Sequence, residues 1–184
     1  MNSIIMVRAF VALELSGDMR EQLAKAQNVL RECTSRLTFV DPAIIHITVK
    51  FLGDVDERKI PPVKEALSTI RADPFPVTGR MITVNDPRRP RTVWCTIDDD
   101  GRSRQLFMHM EDVLEPIGFA REKRPFTPHA TVARVKYADP SLFRQLELLK
   151  ETAYGSCMIT GMKLKKSTLT GSGPVYEDLL EVMW

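Results

Sequence analysis

Cysteine and histidine are scarce in this 184-residue chain, at three each. Cys33, Cys95 and Cys157 are widely spaced, odd in number and form no CxxC pair. That argues against a disulfide framework and a structural zinc site, and makes a reducing cytoplasm the simplest home. HxH and HExxH motifs and a metal-binding cluster of carboxylates are also missing, so the pattern predicts no catalytic zinc or two-metal centre. Without a GxxxxGK[ST] loop, an ATP-driven ligase or kinase is not expected. No apolar run approaches the roughly 20 residues of a membrane span, and "MNSIIMVRAF" lacks the features of a signal peptide. Lys and Arg exceed Asp and Glu by only 26 to 24. The global field is therefore weak, and any contact with nucleic acid must come from local basic patches.

The composition, 43% apolar and 27% charged, is that of a globular protein, and the length suits one compact domain over residues 1–184. "VRAFVALEL" (7–15) reads as a buried strand, followed by a helix from Asp18 to about Leu37 with Leu23, Ala26, Leu30 and Cys33 on one face. "IIHITVKFLG" is a strand, "DERKIPPVKEALSTIRA" a helix started or interrupted by its prolines, and "FPVTGRMITVND" a strand. The order then repeats. "TVWCTIDDD" is a strand closing in an exposed aspartate turn, "GRSRQLFMHMEDVLEPIGF" a helix, "HATVARVK" a strand, "PSLFRQLELLKE" a helix and "YGSCMITGMKLKKS" a strand. "STLTGSGPVYEDLLEVMW" adds a Gly-Pro turn and one or two closing strands. Val7 lies 39 residues before His46, and Thr92 lies 37 before His129; we read this as an internal duplication. Short connections such as "TVNDPRRPRTVW" favour antiparallel pairing, hence an α+β fold of two lobes related by approximate two-fold symmetry.

Two of the three histidines occupy equivalent places, His46 in "HITVKFLG" and His129 in "RPFTPHATVAR". Residues two apart on a strand share a face, so His46 with Thr48 and His129 with Thr131 each pair an imidazole with a hydroxyl. Pseudo-symmetry brings the pairs to one site. Two imidazoles with ordinary pKa values near 6.5 suit acid–base work at neutral pH, one neutral to take a proton and one charged to give it. Metal-free opening of a phosphodiester needs that combination, with hydroxyl and cationic donors on the non-bridging oxygens. A lone histidine on an apolar strand is more often a packed residue; the duplicate setting is what argues for function. His109 has no such setting and reads as structural or exposed.

These two motifs, with "VRAFVALEL" before them and "STLTGSGPVYEDLLEV" after, resemble the 2H (two-histidine) phosphoesterases, and within them the RNA 2′,3′-cyclic phosphodiesterases once called 2′-5′ RNA ligases (LigT-like). The resemblance spans nearly the whole chain. It implies a bilobal α+β fold, with antiparallel sheets around a central cleft, and a reaction without cofactor that opens an RNA 2′,3′-cyclic phosphate to a 2′-phosphomonoester. Matched by position, His46 is the proton donor, His129 the proton acceptor, and Thr48 and Thr131 the phosphate-binding hydroxyls. Arg134 matches a substrate-site arginine, although its offset of five from His129 puts it on the opposite face unless the strand bends. Phe10 matches an aromatic near the nucleobase, and a core phenylalanine is an equal reading. The implied partners are RNA with 2′,3′-cyclic phosphate ends, tRNA fragments among them, or small cyclic nucleotides, acted on by a monomer. The reverse reaction, a 2′-5′ ligation, and a non-catalytic RNA-end binder are the alternatives; intact His46 and His129 argue against the binder. Arg88, Arg89 and Arg91, and Arg121, Lys123 and Arg124 just before the second motif, are candidate RNA-docking charges. Cations preceding His129 also favour its neutral form, whereas only Asp41 and Lys50 lie near His46.

Overall fold

The computed structural model describes residues 5–171 and 173–184; Ser172, in the expected Gly-Pro turn, lies outside them. In chain order the regular elements are β1 (Met6–Glu14), α1 (Gly17–Leu30), β2 (Arg36–Phe39), β3 (His46–Asp56), α2 (Ile60–Ser68), β4 (Phe75–Val84) and β5 (Thr92–Asp98). They continue with α3 (Arg102–Leu114), β6 (His129–Tyr137), α4 (Pro140–Leu148), β7 (Ser156–Ile159), β8 (Gly161–Thr170) and β9 (Gly173–Met183). No described helix is long and apolar enough to cross a membrane.

All pairings are antiparallel, and the strand order β7-β4-β5-β6-β3-β1-β8-β9, with β2 beside β6, reads alike outward from its centre. From the β3–β6 junction each side runs His-x-Thr strand, first strand of the same repeat, then the last long strand of the other repeat. β4 thus pairs with β5, while β8 pairs with β1. The two repeats exchange strands, and helices follow the exchange: α1 packs on β6 and α3 on β3. The result is the α+β class with two pseudo-symmetric antiparallel lobes.

The His-x-Thr strands repeat each other in detail. Over its first nine residues β3 alternates buried and less buried positions in the same order as β6. In each, two successive residues are buried, Val49 with Lys50 and Val132 with Ala133. The register explains why. Ala12 and Val11 pair with Thr48 and Lys50, leaving Val49 extra; Trp94 and Val93 pair with Thr131 and Ala133, leaving Val132 extra. Each strand therefore carries a β-bulge in the same place, which reverses the face of the residues that directly follow it.

A helix of the opposite repeat secures each bulge. Gln27 of α1, 2% exposed, donates its side-chain amide to the carbonyl of Val132 at 2.9 Å and to that of Val40 at 2.7 Å. On the other strand the bulge turns Lys50 inward, where its ammonium pairs with Glu111 of α3 and donates to the Ala120 carbonyl at 3.2 Å. The second carboxylate oxygen of Glu111 accepts from the Glu122 amide at 3.0 Å. The apolar core fills in around these clamps, with Leu13, Leu23, Leu30, Ile47, Met110, Leu114, Val132 and Leu142 among its fully buried members.

Three expectations are corrected. The helix expected to reach Leu37 ends at Leu30, and Arg36–Phe39 is a strand. Thr34 and Ser35 hydrogen-bond across to Asp139 and Ser141, contacts that compete with a helical backbone. "YGSCMITGMKLKKS" is two strands, because at Thr160 the chain passes from β7, which pairs with β4, to β8 in the other lobe. Gly161 allows that crossing: a Cβ there would lie 2.5 Å from the Val182 carbonyl oxygen. The aspartate turn is not wholly exposed, since buried Asp99 accepts the amides of Gly101 and Ser103 at 2.9 Å each and starts α3.

Breaking a buried ion pair from one side leaves an uncompensated charge, at a cost of about 3–5 kcal/mol. Glu111→Ala is expected to lower unfolding stability by that order in denaturant titration. A loss below about 1 kcal/mol would mean that Lys50 reaches water when its partner is removed.

Candidate active site

The two His-x-Thr motifs meet where the lobes join. Ile47 and Ala130 form the register pair between β3 and β6, and both are fully buried. Alternation then turns His46, Thr48, His129 and Thr131 to the other face. Continued from that pair, the antiparallel register sets His46 across from Thr131 and His129 across from Thr48. Two imidazoles and two hydroxyls thus share one small area.

Both rings are held alike. His46 Nδ1 donates to the Ile44 carbonyl at 2.8 Å, and His129 Nδ1 donates to the Thr127 carbonyl at 2.8 Å. Since a carbonyl can only accept, this fixes the proton on Nδ1 and leaves Nε2 as the working nitrogen. His46 Nε2 lies 2.9 Å from Thr48 Oγ1, which donates to the neutral ring or accepts from the charged one.

The bulges also decide where Arg134 sits. Five residues after His129 with one bulge between, it returns to the face of the histidine, exposed, with Thr92 and Thr38 as its cross-strand neighbours. Its charge disfavours the cation of His129 and, against the burial that raises it, lowers the pKa of the Tyr176 hydroxyl. The same count from His46 leads to Phe51, 63% exposed. Phe10 is only 3% exposed and lies beneath this layer: its ring stacks on His46 at 5.0 Å and meets Phe51 at 5.9 Å and Tyr176 at 4.9 Å. It supports the aromatic surface and shows little of its own. On the other side Trp94 lies 4.1 Å from the His129 ring.

Burial pushes the pKa of His46 down; the Ile44 hydrogen bond and the Glu14 carboxylate push it up, and Lys165 and Arg20 push it down again, with a lowered net result. Glu14 is the β1 register partner of His46. Its carboxylate holds Lys165 at 2.7 Å and pairs with Arg20, whose Nε also donates to the Ile45 carbonyl at 3.0 Å. For His129, burial is again the main depressing influence, opposed by the Thr127 hydrogen bond and aided by Arg134. The cation acting on His129 is thus Arg134, after the motif, and not the basic run before it. Within that run Arg121 is held by Asp112 and Glu115. A concavity of about 340 Å³ lined by Glu14, Ala43, Ile44, Lys165, Tyr176 and Asp178 adjoins His46. His109 is exposed on α3.

The family described as LigT like Phosphoesterase matches this chain twice, over residues 13–94 and 97–176. The chain belongs to that family. The two LigT-like matches divide within β5, close to where the second repeat begins. Among similar proteins, the RNA 2′,3′-cyclic phosphodiesterase of Archaeoglobus fulgidus is 32% identical, covering 94% of this chain and 98% of its own. That of Methanothermobacter thermautotrophicus is 32% identical over 94% and 96%. A crystal structure of a Thermus thermophilus protein shares the fold with a TM-score of 0.80 at 24% identity, covering 96% of this chain and 97% of its own. Escherichia coli LigT complexed with 3′-AMP does so at 0.79 and 22%, covering 97% and 98%.

Sequence reasoning passed over Glu14, Arg20, Gln27, Trp94, Lys165 and Tyr176 in this LigT-like frame. Trp94 and Glu14 could have been found from strand alternation once β5 and β1 were set beside the motif strands. Gln27 and Arg20 lie on a helix facing another strand, and nothing local marks them.

NMR titration is expected to place the midpoints of both His46 and His129 below 6.5. Arg134→Ala removes a positive charge that disfavours imidazolium, so the His129 midpoint should rise while that of His46 stays. Glu14→Gln removes a negative charge that favours it, so His46 should titrate lower still. Midpoints that do not respond in these directions would refute the charge assignments.

Proposed function

We propose that this chain is an RNA 2′,3′-cyclic phosphodiesterase, opening a terminal 2′,3′-cyclic phosphate to a 2′-phosphomonoester with two histidines and no cofactor. The observation that carries the reading is the pair of His-x-Thr motifs on one face of adjoining antiparallel strands, each imidazole holding its Nδ1 proton on a carbonyl. The names of the relatives supply the substrate class.

In this reading neutral His129 Nε2 takes a proton from water as the water oxygen attacks phosphorus. The bond from phosphorus to the 3′-oxygen breaks, and charged His46 donates its Nε2 proton to that departing oxygen. The product is a 2′-phosphate beside a free 3′-hydroxyl, and the two imidazoles have exchanged protonation states. Thr48, Thr131 and Arg134 hold the non-bridging oxygens as charge builds on them. Support for these roles comes from Glu14, which favours the cation at the donor, His46, against Lys165 and Arg20, and from Arg134, which disfavours the cation at the acceptor, His129, with no carboxylate opposing it. Ligation uses the same groups in the same order with a 5′-hydroxyl in place of water: His129 takes its proton, the bond from phosphorus to the 3′-oxygen breaks, and His46 protonates that oxygen, leaving a 2′-5′ linkage.

Incubation with an RNA bearing a 2′,3′-cyclic phosphate, in chelator, should yield a terminal 2′-phosphate; a 3′-phosphate, or dependence on added divalent ion, would overturn the mechanism. His46→Ala and His129→Ala should each lower turnover by about 10²–10⁴-fold. With a substrate whose leaving group needs no proton, only His46→Ala should regain rate. Since burial lowers both imidazoles, the bell-shaped pH profile of kcat/KM should peak on the acid side of pH 6.5; a rate rising steadily from pH 5 to 9 would exclude paired roles.

A further inference from the structure

Resting on the proposed activity, we propose that the RNA strand upstream of the cyclic phosphate runs outward along β6 and β2, where Arg36 and Tyr137 form a stacking platform for an internal base. A 2′,3′-cyclic phosphate closes the 3′ end of an RNA, so every other nucleotide leaves the site in one direction, carrying a negative charge each. The two lobes offer different surfaces to that chain. On the β1 side the β8 lysines are neutralised, Lys163 and Lys165 by Asp178, Lys165 also by Glu14, and Lys166 by Glu177, which leaves Arg8 as a lone exposed cation on β1. On the β6 side, Arg36, Arg88, Arg89, Arg91 and Arg134 are exposed and enter no ion pair among the described residues.

These cations form a continuation of the catalytic face. Thr38 of β2 pairs with Arg134, Leu37 with Val135, and Arg36 with Tyr137, with Lys136 left over as a second bulge. By alternation Arg134 and Tyr137 then lie on the same face as His129 and Thr131, with Arg36 beside Tyr137. Tyr137 is 54% exposed, and the Arg36 guanidinium stands 5.9 Å from its ring centre. The β4–β5 turn brings its arginines to the same border: the Val135 amide donates to the Arg91 carbonyl at 2.9 Å. Asn85 Oδ1 fixes that turn by accepting the Arg91 and Thr92 amides at 2.9 Å each. With Val132 and Lys136 taken up in bulges, four strand steps separate Thr131 from Tyr137, about 13 Å at strand spacing, farther than the base of one cyclic nucleotide held by its phosphate reaches. An exposed aromatic ring with a guanidinium beside it, at the end of a cationic strip, is the arrangement that binds single-stranded nucleic acid without regard to sequence.

The test compares KM for a nucleoside 2′,3′-cyclic monophosphate with KM for a ten-nucleotide RNA carrying the same end. The wild-type enzyme should show the lower KM for the oligonucleotide. In Tyr137→Ala the ratio of oligonucleotide to monomer KM should rise about tenfold, the order expected for one stacked base. Tyr137→Phe should restore it, and Arg88→Ala with Arg89→Ala should flatten the salt dependence of oligonucleotide KM. A ratio unmoved in Tyr137→Ala, or equal KM values in the wild type, would overturn the platform. Fluorescence anisotropy with a 2′-phosphate-ended ten-nucleotide RNA separates this from the activity itself. If the wild-type enzyme opens neither substrate, the proposed reaction fails. A tenfold weaker complex with Tyr137→Ala would still support the platform, and equal binding would overturn it.

Discussion

The extra residue just after each His-x-Thr motif is the constraint on which the site depends. A regular strand would send residues five apart to opposite faces, leaving Arg134 and Phe51 in the core and Lys50 in the cleft. The bulges at Val49 and Val132 reverse this. They also leave polar groups that need partners, the Val132 carbonyl and the inward-turned Lys50 ammonium, which the exchange of elements provides: α1 reaches the first through Gln27, and α3 the second through Glu111. Neither repeat supplies the clamp for its own motif strand. Local geometry at the histidines and the packing of the whole molecule are in this sense one problem.

Duplication produced the frame, and divergence within it separates the two sides. At the position five beyond the histidine one side has an aromatic ring and the other a guanidinium. Beside His46 stands the Glu14, Arg20 and Lys165 network, whereas His129 faces Trp94 and Arg134. Two groups of the same chemical type in similar burial would compete for the same protonation state. Their charged neighbours differ: a carboxylate and two cations act on His46, and a guanidinium alone acts on His129. The same divergence leaves the lysines of β8 paired with carboxylates and the arginines along β6, β2 and the β4–β5 turn without ion pairs among the described residues.

Much of the fold was legible. The strand, helix, motif strand, helix, strand order appears twice in the text of the chain, and it gave the α+β class, the antiparallel pairing and the positions of His46, Thr48, His129 and Thr131. The errors have a common cause. The helix expected to run to Leu37 has good local periodicity, but Thr34 and Ser35 find partners more than a hundred residues away. The strand expected to run unbroken past Thr160 does so in pattern, while its two parts belong to different lobes. Periodicity reports which residues want burial, and it is silent on which strand lies beside them.

The sequence by itself determined the identity and spacing of the chemical groups: two imidazoles, each with a hydroxyl two residues on, in settings alike enough to be matched. Backbone alternation makes that spacing meaningful without any knowledge of the fold, because it is a property of a single strand. Whether Arg134 joins His129, whether Phe10 faces ligand or lies beneath the ring layer, and which cation acts on which histidine were decided only by tertiary structure. A bulge exists only relative to a neighbouring strand, burial only relative to what covers a ring, and a charge acts through distances that packing alone sets.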